Sequence, residues 1–222
     1  MAIYDNPKIV TNELVLHLDA ANIRSYPGSG TDWFDLSGQG NNGTLTNGPT
    51  FNANNAGSIV FDGVDDYIAI PHTTVLDSSL SMTLSAWVYI TSFVANMSIF
   101  GKAAGGNGYD FRIDSNSKLN LVKYNVTDQP INLATPLSTL TWYNIAAVQS
   151  STKVEFFVNG VSVGSFVNSQ AYGINTGGVR IARNRNIIYT PGYISNVYFY
   201  NRVLSAAEIR QNFNALRGRF AI

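Results

Sequence analysis

Three aspartates lie close together at one predicted turn of this sequence. Asp62, Asp65 and Asp66 stand between two short runs that are rich in β-branched and aromatic residues. Carboxylate oxygens supplied by one loop suit Ca²⁺, so these residues form the candidate metal site. The same residues also suit a turn without metal, because Asp side chains accept hydrogen bonds from nearby backbone amides. Both interpretations stay open at this point, with calcium as an optional ion and no cofactor required.

A second group of residues has the chemistry of a sugar-binding site, which combines an aromatic platform with amide and charged groups. Tyrosines and asparagines that could supply these groups are Tyr124, Tyr172, Tyr189 and Tyr193, with Asn125, Asn184 and Asn186. The arginines Arg180, Arg183 and Arg185 would suit an acidic glycan or a neighbouring subunit. An ordinary solvated strand edge is the alternative, since charge there opposes pairing with another sheet. The candidate glycan-binding or partner-binding residues are Tyr124, Asn125, Arg180, Arg183, Arg185 and Tyr189.

The acidic residues do not form a glycosidase pattern. Glycosidases use two carboxylates, about 5 Å apart in retaining enzymes, and two such groups can project from one face of a strand. The glutamates Glu13, Glu155 and Glu208 are isolated in sequence, and Glu208 is explained as a helix cap. We therefore predict no catalytic carboxylate pair.

The charged residues of one predicted strand and the two histidines are also predicted to have no catalytic role. Asp110 and Arg112 alternate with apolar residues, which predicts a solvated strand face that pairs across the sheet with Lys118 or Lys123. The histidines give no Ser/His/Asp arrangement with suitable spacing. The sequence therefore predicts a chain that is not an enzyme.

Apolar alternation predicts that β-strands position these groups. Residues 57–70 predict a hairpin whose turn contains Asp62 and Gly63. Residues 82–90 predict a long strand covered on both faces, and Asn159-Gly160 is typical of a two-residue hairpin turn. Further strands are predicted at residues 14–18, 109–113, 118–122, 142–148, 154–158, 161–166, 179–182 and 193–200.

The remaining segments complete an all-β organisation. Residues 22–56 predict a long ordered loop with short strands held by aromatic anchors. Ser205 and Glu208 predict a capping box, which begins one helix near the end of the chain. Residues 1–12 are expected to form an amino-terminal arm, which is either frayed or docked on a neighbour, and residues 13–222 a single domain. An antiparallel two-sheet sandwich with one short C-terminal helix accommodates this order.

Composition excludes several classes of protein. The formal net charge is zero, with 14 basic and 14 acidic residues, so no overall field attracts nucleic acid or an anionic membrane. There is no cysteine, so disulfides and thiolate metal sites are excluded. The first residues lack the basic and apolar regions of a signal peptide, and no apolar run approaches about 20 residues. We expect a soluble protein that is made in the cytoplasm and is not exported by the Sec route.

Sequence motifs along the chain resemble the concanavalin A-like jelly-roll domains of the laminin-G-like type. The motifs are residues 57–70, with Leu14 to Asn22, Trp33 to Gly38, Phe157 to Gly160 and Tyr200 to Ile209. The opening segments are similar to that group as it occurs in bacteriophage, cyanophage-like, structural proteins. The resemblance implies a jelly-roll sandwich in which many members hold calcium near the acidic turn. An acidic residue often contributes from the strand before the final helix, where this chain has Ser195 with Asn196 beside it.

The resemblance also implies a non-enzymatic function in a virion. We expect a capsid decoration protein, or a tail or fibre protein, that binds the major capsid protein or other virion proteins and could form a homo-oligomer. The alternative is a glycan-binding, lectin-like adhesion module that recognises a cell-surface glycan on the host. A weaker third hypothesis is a cellular lectin-like protein unrelated to phage.

Overall fold

The computed structural model describes residues 7–77, 80–124, 136–169 and 171–222. They form fifteen strands: β1 (Leu14–Asp19), β2 (Asp32–Trp33), β3 (Gly43–Thr46), β4 (Thr50–Asn52), β5 (Ser58–Asp62), β6 (Tyr67–Ile70), β7 (Met82–Ile90), β8 (Met97–Ala104), β9 (Asn107–Ile113), β10 (Leu119–Lys123), β11 (Trp142–Gln149), β12 (Lys153–Val158), β13 (Val161–Val167), β14 (Val179–Ile181) and β15 (Pro191–Tyr200). One α-helix, α1 (Ala206–Leu216), follows them, and 3₁₀ helices occur at Asn54–Ala56, Thr74–Leu76 and Arg217–Phe220. Within these ranges no helix has the length and apolar character needed to span a membrane.

The strands form two antiparallel sheets that pack face to face. In the first sheet the order is β13-β12-β11-β7-β15-β5-β4, with β1 also paired to β15. In the second sheet the order is β10-β9-β8-β14-β6-β3-β2. Apolar side chains alternate inward from both sheets, for example Phe111 and Phe156, whose ring centroids are 6.3 Å apart. The predicted fold class, a two-sheet sandwich with one C-terminal helix, is confirmed.

The hairpin predicted at residues 57–70 is wrong. Its two strands form where expected, but β5 pairs with β15 and β4, whereas β6 pairs with β14 and β3. The acidic turn therefore connects one sheet to the other. Alternation places an apolar face on each strand but does not specify the partner, and here Ile59 and Ile68 meet across the core instead of along one sheet.

The solvated face predicted for residues 109–113 is also wrong. Asp110 is 1% exposed and Arg112 is 6% exposed. The turn into β10 forms as predicted, and the side chain of Asp114 accepts hydrogen bonds from the backbone amides of Asn116 and Lys118. Burial of charged groups is costly unless they are hydrogen-bonded or paired, so the polar side of β9 indicates an organised site.

Other local predictions are confirmed. The long strand β7 is buried on both faces, because Trp87 on its outer face stacks on Phe220 with ring centroids 4.0 Å apart. Asn159 and Gly160 have φ of 49° and 75°, as a two-residue turn of this kind requires, and they join β12 to β13. The loop between β1 and β5 contains the short strands β2, β3 and β4.

The helix α1 begins at the predicted capping box. The Ser205 hydroxyl accepts from the Glu208 amide, and the Glu208 carboxylate accepts from the Ser205 amide at 2.9 Å. Arg202 donates two further hydrogen bonds to this carboxylate, at 2.6 and 3.1 Å. These bonds, led by those from Arg202, lower the pKa of Glu208 to about 2.

We expect Glu208→Gln to reduce the pH dependence of stability in acid. The carboxylate has a folded pKa of about 2 against 4.5 for its ordinary value, so its stabilising contribution is present above pH 4.5 and is lost as the pH falls toward 2. At neutral pH the variant should melt about 2–4 °C below the unmodified protein, which corresponds to roughly 1 kcal/mol. This difference in melting temperature should disappear as the pH is lowered from 7 to 2. Glu13→Gln, at an exposed glutamate, is the control. A difference that stays constant with pH would contradict the assignment.

The described residues before β1 lie against the same chain. The Val10 amide donates to Asn212 Oδ1 at 2.8 Å, and the Tyr200 hydroxyl donates to the Val10 carbonyl at 2.9 Å. Gln211 donates to the Lys8 carbonyl at 2.8 Å. Residues 8–10 are therefore tied to the helix α1 and to β15.

Candidate functional site

A pocket of about 210 Å³ lies on the outer face of the second sheet. Its floor is formed by the small residues Gly101, Ala103 and Ala104 of β8, and Gly177 and Gly178 form one side. A Cβ atom placed on Gly101 would lie 2.9 Å from Asp110 Oδ1. The small side chains of these β8 residues leave room for the pocket.

A buried carboxylate lies at the base of this pocket. Asp110 Oδ1 accepts a short hydrogen bond from the Ser98 hydroxyl, and Oδ2 accepts one from the Tyr124 hydroxyl at 3.0 Å. Burial, and then the negative charge of Asp110, raise the pKa of Tyr124 well above its usual value. Tyr124 is therefore a fixed neutral donor to Asp110 at physiological pH.

Arginines from one strand and the loop after it line the rest of the pocket. Arg180 lies on β14, and Arg183 and Arg185 lie on the loop that leads to β15. Asn184 holds this loop, because its side-chain oxygen accepts from the amides of Asn186 and Ile188 at 2.8 and 3.0 Å. A bridge between Arg183 and Tyr189 closes the loop. We call residues 180–189, which run from the end of β14 through this loop, the arginine loop.

Aromatic rings orient the guanidinium groups of the arginine loop. Arg185 lies 4.0 Å from the ring centroid of Tyr124. Arg183 lies 4.9 Å from the ring of Tyr67 and 5.8 Å from that of Tyr189. Cation–π contacts of this kind hold a guanidinium in place and leave its N–H groups able to donate.

Positive charge predominates among the described residues that line the pocket. Arg180, Arg183 and Arg185 outnumber Asp110 in its lining. In the part of the chain that the structure describes, no carboxylate lies within ion-pair distance of these three arginines. Guanidinium groups bind carboxylates and other oxyanions through two parallel hydrogen bonds, so the pocket has the chemistry to bind an anion.

The structure brings most of the predicted site residues together. Tyr124, Arg180, Arg183 and Arg185 line the pocket, and Tyr189 lies beside it against Arg183. Asn125 lies outside the described residues. The strand-edge alternative is wrong for Arg180, because β14 is paired on both sides, to β8 and to β6.

Other predicted sugar-binding residues have different positions. Tyr172 is buried, and its hydroxyl donates to Gln149 at 2.6 Å. Tyr193 lies on β15 of the first sheet. Asn184 is buried and supports the arginine loop. Sequence reasoning missed Asp110 and Tyr67 as site residues, although the alternation of Tyr67 with the buried Ile68 and Ile70 does indicate an outward side chain.

The acidic turn lies outside the lining of the arginine pocket. Ligand oxygens of Asp62, Asp65 and Asp66 lie within 4.8 Å of one another. Burial, opposed by the Asp62 amide and aided by the charges of Asp62 and Asp65, raises the pKa of Asp66. Asp62 Oδ1 accepts from the Val64 amide at 2.8 Å, and Asp66 Oδ2 accepts from the Asp62 amide at 3.1 Å. The oxygens suit Ca²⁺ and also satisfy the turn, so calcium binding here stays a prediction.

Ser195 and Asn196 are not placed to complete that turn. Asp62 lies opposite Pro191 in the pairing of β5 with β15, several residues away from them. The Ser195 hydroxyl donates to the Gly57 carbonyl at 2.7 Å, and Asn196 lies opposite Asp19 of β1. Ser195, which stands where relatives often carry an acidic residue, therefore bonds to the backbone of another segment, and Asn196 is paired away from the acidic turn.

Comparison with known proteins gives a family match and several solved structures of the same fold. A family model described as the concanavalin A-like lectin/glucanases superfamily matches residues 62–210. No curated protein matches the sequence. Domain 4 of AbnA, an extracellular GH43 arabinanase from Geobacillus stearothermophilus solved with arabinotriose, is similar with a TM-score of 0.74 and 18% identity, over 90% of this chain and 98% of that domain.

Two further similar structures belong to longer chains. The binding domain of Paraclostridial mosquitocidal protein 1 has a TM-score of 0.73 and 16% identity, over 92% of this chain and 52% of that one. Trypanosoma rangeli sialidase has a TM-score of 0.71 and 16% identity, over 96% of this chain and 34% of that one. This chain thus spans about half of the first and a third of the second. At these identities the likeness shows a shared fold.

Proposed function

The chain belongs to the concanavalin A-like lectin/glucanase superfamily, and on that premise we propose that it is a non-catalytic, lectin-like module that binds an acidic glycan in the arginine pocket. The observation that carries this proposal is the set of three guanidinium groups around one recess, none of them paired with a carboxylate of the described chain. A sugar carboxylate, or a sulfate ester, would complete their hydrogen bonds.

The ring contacts support recognition of an acid group. Tyr124 lies against Arg185, and Tyr67 and Tyr189 lie against Arg183, so two guanidinium groups are held in place to meet the acid group of a sugar. The pocket is preformed, since Asn184 and Asp110 fix its loop and its base. A preformed site loses little conformational entropy when the ligand binds.

The chemistry of the pocket supports binding without cleavage. Glycoside hydrolysis generally uses two carboxylates that flank the bond to be broken. Of the described residues that line the pocket, one is a carboxylate, Asp110, and its oxygens accept from Ser98 and Tyr124.

The functions of similar structures favour the same class of ligand. Botulinum neurotoxin type C is described as entering cells through interaction with two ganglioside molecules, and T. rangeli sialidase is solved with sialic acid. Sialic acid carries the carboxylate that the arginines would bind. A virion role, with capsid partners and a virion location, stays a prediction, and these structures favour its alternative, a glycan-binding module.

The test is binding to a glycan array followed by titration of the best acidic oligosaccharide. We expect sialylated, uronic-acid or sulfated glycans to bind and Arg183→Gln to weaken the binding by about tenfold or more, because one charge-assisted hydrogen bond contributes about 1.5–3 kcal/mol. Affinity should also fall with rising salt, as for any exposed charge pair.

A matched control uses Arg210→Gln on the exposed side of α1. This variant removes the same charge from the protein without touching the pocket, so its binding should equal that of the unmodified chain. Failure of every acidic glycan to bind, or equal loss in the two variants, would overturn the assignment of the pocket.

A further inference from the structure

The outer face of the first sheet has a covered part and an open part. The C-terminal segment covers Trp87 and Tyr198, which are 0% and 1% exposed, and Phe220 stacks on Trp87. Beside this covered part, Tyr89, Trp142 and Tyr193 are each only half-buried. These three rings form what we call the aromatic row.

The aromatic row is continuous across three neighbouring strands. In strand register, Tyr89 of β7 lies opposite Trp142 of β11 on one side and opposite Tyr193 of β15 on the other. The Tyr89 ring centroid is 5.6 Å from that of Trp142 and 5.2 Å from that of Tyr193. Since strands lie about 4.8 Å apart, the row extends over about 10 Å of the sheet surface.

A cleft of about 160 Å³ follows this row, and amide side chains form its opposite wall. Asn52, Asn54, Asn55 and Ser58 line it with the three rings. Among the described residues, no charged side chain lines the cleft. The cleft therefore offers aromatic faces and neutral hydrogen-bonding groups.

Asn55 positions the tryptophan of the row. Trp142 Nε1 donates to Asn55 Oδ1 at 3.2 Å, and Asn55 Nδ2 donates to the Arg219 carbonyl at 3.2 Å. Asn55 has φ of 54°, in the left-handed region that asparagine tolerates better than most residues. Trp142 is thus held from both sides, because its ring also lies 4.7 Å from that of Phe220.

We propose that this cleft is a second saccharide site, specific for a neutral sugar. The C–H face of a sugar ring would stack on the aromatic row, and its hydroxyl groups would exchange hydrogen bonds with the amides of Asn52 and Asn54. An acidic sugar would find no cation in the lining. This site lies on the opposite sheet from the arginine pocket, so it is independent of that pocket and goes beyond the function proposed for it.

Intrinsic fluorescence gives a direct test, because the aromatic row contains the tryptophan that solvent reaches. The chain has three tryptophans, and Trp33 and Trp87 are fully buried. We expect at least one of arabinotriose, maltotriose and chitotriose to change the emission of Trp142 in a saturable way, at concentrations up to about 10 mM, which suits a weak sugar site. The absence of any response to all three would overturn the proposal.

Variants then locate the response. We expect weaker binding of the sugar that changes the emission in two variants, Tyr193→Ala and Asn54→Ala. Loss of the tyrosine ring in Tyr193→Ala should reduce the affinity by about tenfold. The side chain of Asn54 is exposed, so the second variant keeps the proposal testable even if the first one lowers stability. Phe34→Ala is the matched control, because it removes an exposed ring that lines neither pocket.

The two proposed sites are distinguishable by one cross-test. Arg183→Gln should leave neutral-sugar binding unchanged, and Tyr193→Ala should leave acidic-glycan binding unchanged. Loss of neutral-sugar binding in Arg183→Gln would overturn the second site and leave the arginine pocket standing. Self-association of the chain that Tyr193→Ala abolishes, without any response to sugar, would assign the row to contacts between copies and would also overturn it.

Discussion

Asp77→Ala is expected to lower the free energy of unfolding by about 3–5 kcal/mol, because it removes the partner of a buried ammonium group. Lys102 on β8 is 1% exposed, and its Nζ donates to Asp77 Oδ1 at 2.7 Å and to the Asn175 carbonyl at 2.6 Å. Without Asp77 this charge stays buried beside one carbonyl. Equilibrium unfolding in urea measures the loss.

The same substitution should also weaken acidic-glycan binding. Asn175 accepts from the Gly177 amide at 2.9 Å and donates to the Asn107 carbonyl at 3.1 Å, so it holds the segment that contributes Gly177 and Gly178 to the arginine pocket. Without Asp77, the Lys102 ammonium group is no longer held in the position from which it donates to the Asn175 carbonyl. We expect reduced affinity in the titration that tests the pocket.

Glu155→Ala is the matched control for Asp77→Ala. Lys153 Nζ lies 2.7 Å from Glu155 Oε2, the same separation as in the buried pair, but these side chains are 48% and 26% exposed. Ion pairs in contact with water contribute about 0–1 kcal/mol. Equal destabilisation by the two substitutions would show that burial of Lys102 does not control the effect.

Arg219→Ala should have a comparably large effect on stability. Arg219 donates three hydrogen bonds of 2.9–3.0 Å to the carboxylate of Asp19, which is 3% exposed on β1. Removal of the arginine leaves a buried carboxylate without its cation, which costs about 3–5 kcal/mol. For a chain of this length we expect the melting temperature to fall by roughly 6–20 °C.

Arg219→Ala should also change the tryptophan environment. The 3₁₀ helix at Arg217–Phe220 carries the ring that lies on Trp87 and Trp142, and Asn55 donates to the Arg219 carbonyl. Release of this segment should shift the emission to longer wavelength and weaken neutral-sugar binding. Arg217→Ala, at the exposed start of the same segment, is the control, and equal melting temperatures for the two variants would contradict the role of the Asp19 pair.

Local signals predicted most of the elements but not β8, and they predicted the partners of β5 and β6 wrongly. The Ser205 and Glu208 capping box and the Asn159-Gly160 turn are specified by neighbouring residues, so both formed as expected. The hairpin at residues 57–70 failed because β5 and β6 each find a better partner elsewhere. The pairings of β5 with β15 and of β6 with β14 join residues more than a hundred positions apart, which alternation does not encode.

The sequence also identified some residues of the candidate site and missed others. The aromatic and arginine residues Tyr124, Arg183 and Tyr189 were recognisable from their types, since a sugar site needs such groups. Asp110 was assigned to solvent, because a strand that alternates charged with apolar residues usually has a wet face. Only the packing around β9, with Ser98 and Tyr124 against the carboxylate, showed a buried group at the base of a pocket.

Sequence alone determined the class of fold, most of the strands and the helix cap, because each follows from side-chain type and short-range spacing, whereas β8 was not predicted. Tertiary structure decided which sheet each strand joins. It thereby placed Arg180 and Tyr193, thirteen residues apart, on different sheets. The physical reason is that side-chain direction is set locally along a strand, whereas neighbours across a sheet are set by burial of the whole apolar surface.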